Sequence, residues 1–164
     1  MTEISSIVNT GNTRLDEIDL VLLTELQEQG RVRLEELAGK VGLAVSSVHE
    51  RLRRLQRSGV IRRWTIDIDP AALGLPVLAM VGVRSSLPCS ELVLGLLDMP
   101  EIEECLAVAG QLSMIVKVRA ANPEHLLTIV ERIKHAPGVE NTETTIVLRT
   151  FLERGPQPLA ARSR

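Results

Sequence analysis

Residues 34–63 read LEELAGKVGLAVSSVHERLRRLQRSGVIRR, and the rest of the chain is organised around them. Leu34, Leu37, Ala38 and Val41 recur at helical spacing, and so do Val48, Leu52 and Leu55. The stretch therefore predicts two amphipathic helices, a short one and a longer one over 45–57. Val41-Gly42-Leu43 leaves room only for a tight turn, and Gly42 lets the backbone reverse without a Cβ clash. Two helices joined this way form a helix-turn-helix, whose second helix fits a DNA major groove.

The outward face of the second helix carries the functional reading. At about 100° per residue, Ser46, Glu50, Arg53 and Arg57 fall opposite the apolar stripe. Ser47, His49, Arg51 and Arg54 lie on its flanks. From Lys40 to Arg63 there are seven Lys or Arg against Glu50 alone, whereas Leu15 to Gly39 holds two Arg against seven Asp or Glu. A basic helix in isolation is more often merely solvated. Here the turn, the spacing and the one-sided charge agree, and the pattern suits a duplex backbone on one side and solvent on the other. These eight residues are the expected DNA contacts.

The bulk composition narrows the classes. The chain has 164 residues, 45% of them apolar, enough for one domain or two small ones. Trp64 and Phe151 are its only aromatic residues, which argues against recognition of single strands by base stacking. Cys89 and Cys105 lack metal-ligand spacing and are expected as free, partly buried thiols in a reducing compartment. No cofactor and no metal site are expected. His49, His125 and His135 are too scattered to form a catalytic set, and no Ser/His/Asp constellation or phosphate loop is present, so no catalytic residues are assigned. No Lys or Arg precedes Arg14, and no apolar run approaches the roughly 20 residues that span a bilayer. No membrane contact is expected, and a cytoplasmic location is the simplest expectation.

Taken in order, residues 1–13 read as a flexible leader and 14–63 as a DNA-binding domain. Thr13 or Asp16 is expected to cap a first helix, with Leu15, Ile18, Leu22, Leu23 and Leu26 on its inner stripe and its acidic outer face turned away from DNA. Residues 64–76 form a connection and hinge. The β-branched run Val60–Asp69 predicts a strand, a wing or a connector, with Trp64 buried. Asp69-Pro70 and Gly74-Leu75-Pro76 then break the pattern.

From Val77 the texture changes. Strands are expected over 77–83, 102–109, 112–118 and 139–151, and helices over 90–99 and from Pro123, which Asn122 caps. A tight turn at Gly110-Gln111 would join the middle strands. The order β-α-β-β-α-β is the ferredoxin-like split arrangement, so residues 77–152 make the whole an α+β chain with an N-terminal helix-turn-helix, winged-helix-like, and a C-terminal ferredoxin-like domain. Two helices cover one sheet face. Leu78, Met80 and a row from Leu112 to Val118 would leave the other apolar, and a second copy of the chain is the simplest cover. Residues 153–164 read as a disordered basic tail.

In this order and spacing, LDEIDLVLLTEL (15–26), RVRLEELAGKVGL (31–43), VHERLRRLQRSGVI (48–61), IDPAALGL (68–75), the VAG at 108–110 and PGVENTETTIVL (137–148) resemble the Lrp/AsnC family of leucine- and asparagine-responsive regulators over roughly residues 14–152. The resemblance implies a sequence-specific regulator of transcription that binds double-stranded DNA. It implies self-association as dimers, often four dimers in an octamer, and modulation by an amino acid or related metabolite. Ala109, Gly110, Gln111, Leu112, Ser113, Thr142 and Thr144 are the effector positions it implies. Two departures stand out. The family usually caps the recognition helix with Ser, where this chain has Ala44. It also usually has Gly-x-Tyr-Asp after its second strand, where this chain has Gly110-Gln111-Leu112-Ser113, so Glu103 or Glu104 would have to supply the counter-charge for an ammonium group. A ligand-independent architectural DNA-binding protein is the alternative. A tetrapyrrole-processing enzyme on a similar fold is the remote one.

Overall fold

The computed structural model describes residues 14–156; the expected leader (1–13) and the end of the expected tail (157–164) lie outside the described residues. These residues form two compact units, one running to Asp67 and including the chain from Arg154, the other spanning Ile68–Glu153.

In the first unit α1 covers Glu17–Glu28, α2 Leu34–Val41 and α3 Val45–Arg57. Asp16 caps α1 with a reciprocal box: its Oδ1 accepts from the Asp19 N–H at 2.8 Å, and Asp19 Oδ2 accepts from the Asp16 N–H at 3.2 Å. Thr13, the other expected cap, lies outside the described residues. Gly42 ends α2 at φ +66°, a left-handed conformation that a Cβ would strain, and this turns the chain into α3. Leu22 of α1, Leu37 and Ala38 of α2, and Val48, Leu52 and Leu55 of α3 are buried together. Ala44 caps α3 with backbone alone, and Ser46 and Ser47 do not replace the missing side-chain bond. The expected strand over 60–69 is absent: the stretch has no ladder partner within the described residues. Without one, β propensity has nothing to pair with. Trp64 is accordingly 51% exposed rather than buried.

In the second unit β1 (Val77–Ser85), α4 (Cys89–Leu92), β2 (Ile102–Ala107), β3 (Met114–Ala120), α5 (Pro123–Lys134) and β4 (Val139–Val147) form an antiparallel sheet in the order β2-β3-β1-β4. Asn122 caps α5, its side chain accepting from the His125 N–H at 2.8 Å. Leu126, Ile129 and Ile133 of α5 pack with Ala79, Val81 and Val83 of β1 and Met114, Val116 and Val118 of β3.

Three expected spans end elsewhere. The helix expected over 90–99 is α-helical only to Leu92 and continues as a 3₁₀ turn, Val93–Gly95. Leu92, Leu96 and Met99 keep their inward spacing, but Gly95 weakens the helix where a Cβ would stand 3.4 Å from Pro137. β4 stops at Val147, opposite Leu78, because β1 begins at Val77 and offers nothing beyond it to pair with. The Gly110-Gln111 turn widens to residues 108–113, because the Ser113 N–H donates to the Val83 carbonyl instead of entering the β2–β3 ladder.

The open sheet face also differs from expectation. Met114, Val116 and Val118 point into the core, so β3 presents Ile115, Lys117 and Arg119 to the open side beside Gly82, Met80 and Leu78. Lys117 and Arg119 pair with Glu103 at 3.1 and 2.9 Å. The face is therefore an apolar strip of Leu78, Met80 and Ile115 bordered by ion pairs.

Candidate nucleic-acid interface

α3 presents Ser46, Ser47, His49, Glu50, Arg53, Arg54 and Arg57 to solvent, while Val48, Leu52 and Leu55 hold its inner stripe against α1 and α2. Ser47, Glu50, Arg51, Arg54 and Arg57 line one shallow basin, as i, i+3, i+4 and i+7 spacing dictates. His49 and Arg53 sit on the other flank with Gln56 and Trp64. The eight sequence-assigned residues thus occupy one helix face and its two edges.

Arg51 and Arg54 of that face are bound to the start of α1 rather than free. The acidic face of the first helix is expected to point away from DNA, yet Asp16 and Asp19 reach α3. Arg51 Nη1 donates to Asp16 Oδ2 at 2.6 Å and to Asp19 Oδ1 at 2.9 Å. Arg54 Nη2 donates to Asp19 Oδ2 at 2.5 Å. Arg57 Nη2 donates to Glu50 Oε1 at 2.6 Å across two turns, and Lys40 pairs with Glu25. Among the described residues Arg53, Arg62 and Arg63 make no ion pair. The excess of Lys and Arg read from the sequence is therefore largely balanced inside the unit, and Arg53 is the recognition-helix guanidinium with its charge uncompensated.

The Asp19 side chain is fully buried, whereas Arg51 and Arg54 keep 26% and 45% of theirs exposed. A carboxylate removed from water is tolerable only when its oxygens are occupied by cationic donors. The Arg51 hydrogen bond, with the Asp19 N–H behind it, holds the Asp16 carboxyl below its ordinary range. The same contacts from Asp16 and Asp19 push the Arg51 guanidinium up. The Asp16 contribution to stability is therefore complete above the ordinary carboxylate range and is lost as the pH falls through its depressed folded value.

The effector positions are arranged differently. Ala109–Ser113 lie in the β2–β3 loop, and Gly110 takes φ +137°. Ser113 is already engaged: its hydroxyl accepts from the Ser85 N–H at 3.1 Å, and its carbonyl accepts from the Val108 N–H and from Cys89 Sγ. Leu112 lies over Gly82 on the open face, where a Cβ on Gly82 would come within 2.7 Å of Leu112 Cδ1. Thr142 and Thr144 pair with Val83 and Val81 and so face the helix side of the sheet. One chain does not bring the seven positions together in one cavity. Glu103, a candidate counter-charge, is occupied by Lys117 and Arg119, while Glu104 is exposed.

The remaining titratable groups are spread out. His125 Nδ1 accepts from the Ala121 N–H, and His135 Nδ1 donates to the Glu131 carbonyl, so both serve the ends of α5. Cys89 and Cys105 are free thiols, half-buried, and burial pushes the Cys105 thiol up. Among the described residues no three His, Cys, Asp or Glu cluster as metal ligands, and no helix is long and apolar enough to cross a membrane.

Residues 15–56 match the AsnC-type helix-turn-helix domain, and residues 78–157 match the Lrp/AsnC ligand binding domain. The chain is 42% identical over 146 residues to the HTH-type transcriptional regulator FL11 of Pyrococcus horikoshii, a match covering 88% of this chain and 97% of that protein. It is 37% identical over 142 residues to the HTH-type transcriptional regulator LrpA of Mycobacterium tuberculosis, covering 85% and 94%. A solved feast or famine regulatory protein from the same bacterium, complexed with L-methionine, superposes with a TM-score of 0.82 at 36% identity, covering 88% of this chain and 100% of that one.

The buried carboxylate makes a direct test. Asp19→Ala is expected to lower the stability of the first unit by about 2 kcal/mol in urea unfolding followed through Trp64, the chain's single tryptophan. That is less than the ~3–5 kcal/mol of a fully buried pair, because both guanidiniums reach water. An unchanged midpoint would contradict the assignment.

Proposed function

The chain belongs to the Lrp/AsnC family of transcriptional regulators, and from that premise we propose that it reads duplex DNA by laying α3 in the major groove. The observation that carries this reading is the left-handed Gly42 turn, which seats Val48, Leu52 and Leu55 in the core and leaves a polar, basic face outward. Arg53 is the reader of guanine or phosphate, since its guanidinium carries no internal counter-charge. Ser46, His49 and Glu50 offer the neighbouring donors and acceptors toward base edges. Ser47, Arg54 and Arg57 meet the backbone on the basin side, with Arg51 behind them. The relatives' names are those of regulators, and nothing in the arrangement of His125 and His135 calls for catalysis.

Self-association is part of the same proposal. Leu78, Met80 and Ile115 form a half-buried apolar strip on the open sheet face, and the extended stretch before Asp67 has no ladder partner among the described residues, with Trp64 and Ile66 exposed. A second copy that covers either one brings a second α3 to a second half-site.

The methionine complex of the 36%-identical relative supports an amino acid as effector of this chain. The site proposed is Ala109–Ser113 with Thr142 and Thr144. Because these positions lie on opposite sheet faces in one chain, another subunit has to complete it. A specific observation favours a second reading, a ligand-independent architectural protein: Ser113 stands where a carboxylate is expected, and its hydroxyl is already bound to Ser85.

Two experiments test these readings. Arg53→Ala is expected to weaken binding to a duplex selected from a random library by about 10-fold in fluorescence anisotropy, a ~1–3 kcal/mol loss. Equal affinity would contradict the role of α3. For the effector, light scattering after size exclusion is run with and without each common amino acid. A change of mass or elution with one of them is the expected result, and one fixed assembly across the panel would favour the architectural protein.

A further inference from the structure

The Asp16–Asp19–Arg51–Arg54 cluster has a bearing on DNA selection beyond holding two helices together. Two guanidiniums and two carboxylates sum to zero charge at the rim of the basin that Ser47, Glu50, Arg54 and Arg57 line. The carboxylates differ in kind. Asp19 is fully buried and bound by both arginines, one turn apart on α3, so it is a positioning residue that water does not reach. Asp16 keeps 49% of its side chain exposed, and its Oδ2 is 2.6 Å from Arg51 Nη1. Both protons of that Nη1 are thereby committed, one to each carboxylate, while Arg54 offers only Nη2 inward and keeps its other donors free.

An anionic backbone approaching this edge meets Arg54 and Arg57 with Asp16 and Glu50 beside them. Backbone affinity is the sequence-independent part of binding, set by how many cations remain uncompensated. Base-edge contacts from the far flank, where Arg53 has no counter-charge, do not pay this penalty. A carboxylate at the rim therefore lowers binding to any duplex more than it lowers binding to the right one.

We propose that Asp16 is a specificity-determining residue, an internal counter-ion to Arg51 that suppresses sequence-independent binding of DNA backbone along the α1 side of α3. This rests on the DNA-binding reading above. It makes a clean substitution available, because Asn caps a helix about as well as Asp and keeps the acceptor for the Asp19 N–H. Asp16→Asn removes the charge and, with Nδ2 in the place of Oδ2, also the acceptor for Arg51 Nη1, which frees that proton for an anion while the cap stays in place.

The test is fluorescence anisotropy of the full chain on a mixed-sequence duplex, from roughly 50 to 200 mM salt. Asp16→Asn is expected to bind about 3- to 10-fold more tightly at the low-salt end, with a log K against log salt slope steeper by about one. Asp16→Glu, which restores the charge, is expected to return both toward wild type. A purely structural role would leave the slope where it was. An unchanged slope, or weaker binding by Asp16→Asn, overturns the proposal while wild-type binding leaves the DNA-binding reading intact. A wild-type chain that fails to bind the duplex at every salt concentration overturns both.

Discussion

A carboxylate with none of its side chain exposed, Asp19, sits between α1 and α3 and constrains everything in the first unit. It is the one buried charged residue among the described residues. Burying such a charge is costly unless cationic donors meet its oxygens. Arg51 and Arg54 do so, and each keeps part of its guanidinium in water. The apolar stripes of the three helices bring them together and set which face of each turns inward. The carboxylate adds a directional contact, because each of its oxygens meets a different arginine of α3.

This direction is what joins stability to recognition. The arginines that anchor α1 lie on the same helix as those that face solvent, so the geometry of the exposed row is set from behind. Ser46, Glu50, Arg53 and Arg57 stand opposite Val48, Leu52 and Leu55 because of helical period, and the height of that row above the rest of the unit follows from the Gly42 turn. Electrostatics then grade the row from a compensated edge at Arg51 to an uncompensated one at Arg53. A uniformly basic helix would bind any duplex. On this helix, among the described residues, Arg53 is the guanidinium left without an ion-pair partner.

The elements that rest on local periodicity were legible in the sequence. α2 and α3 could be read from Leu34–Val41 and Val48–Leu55, the turn from Gly42, and the cap of α5 from Asn122-Pro123. Features that depend on a distant partner were not. Val60–Asp69 has strand-forming residues, but a strand exists only as one of a pair, and no pairing segment lies in this chain's described residues. The β2–β3 turn widened because Ser113 bonds to Val83 and Ser85, some thirty positions back, which no local pattern records. The candidate DNA face was legible as a row of side chains and illegible as a field. Counting charges by segment hid the fact that an acidic helix start and a basic helix are the two halves of one cluster.

We propose that the solvent face of α3 contacts duplex DNA. The most direct measurement is the change in backbone amide NMR shifts of the isotope-labelled chain as a mixed-sequence duplex is added. The expected shifts concentrate at Ser46, Ser47, His49, Glu50 and Arg53 and fade along α1 beyond Thr24, with the sheet residues Val81, Val116 and Val118 unmoved. Shifts concentrated on the open sheet face or on the outer side of α1, with α3 silent, would contradict it.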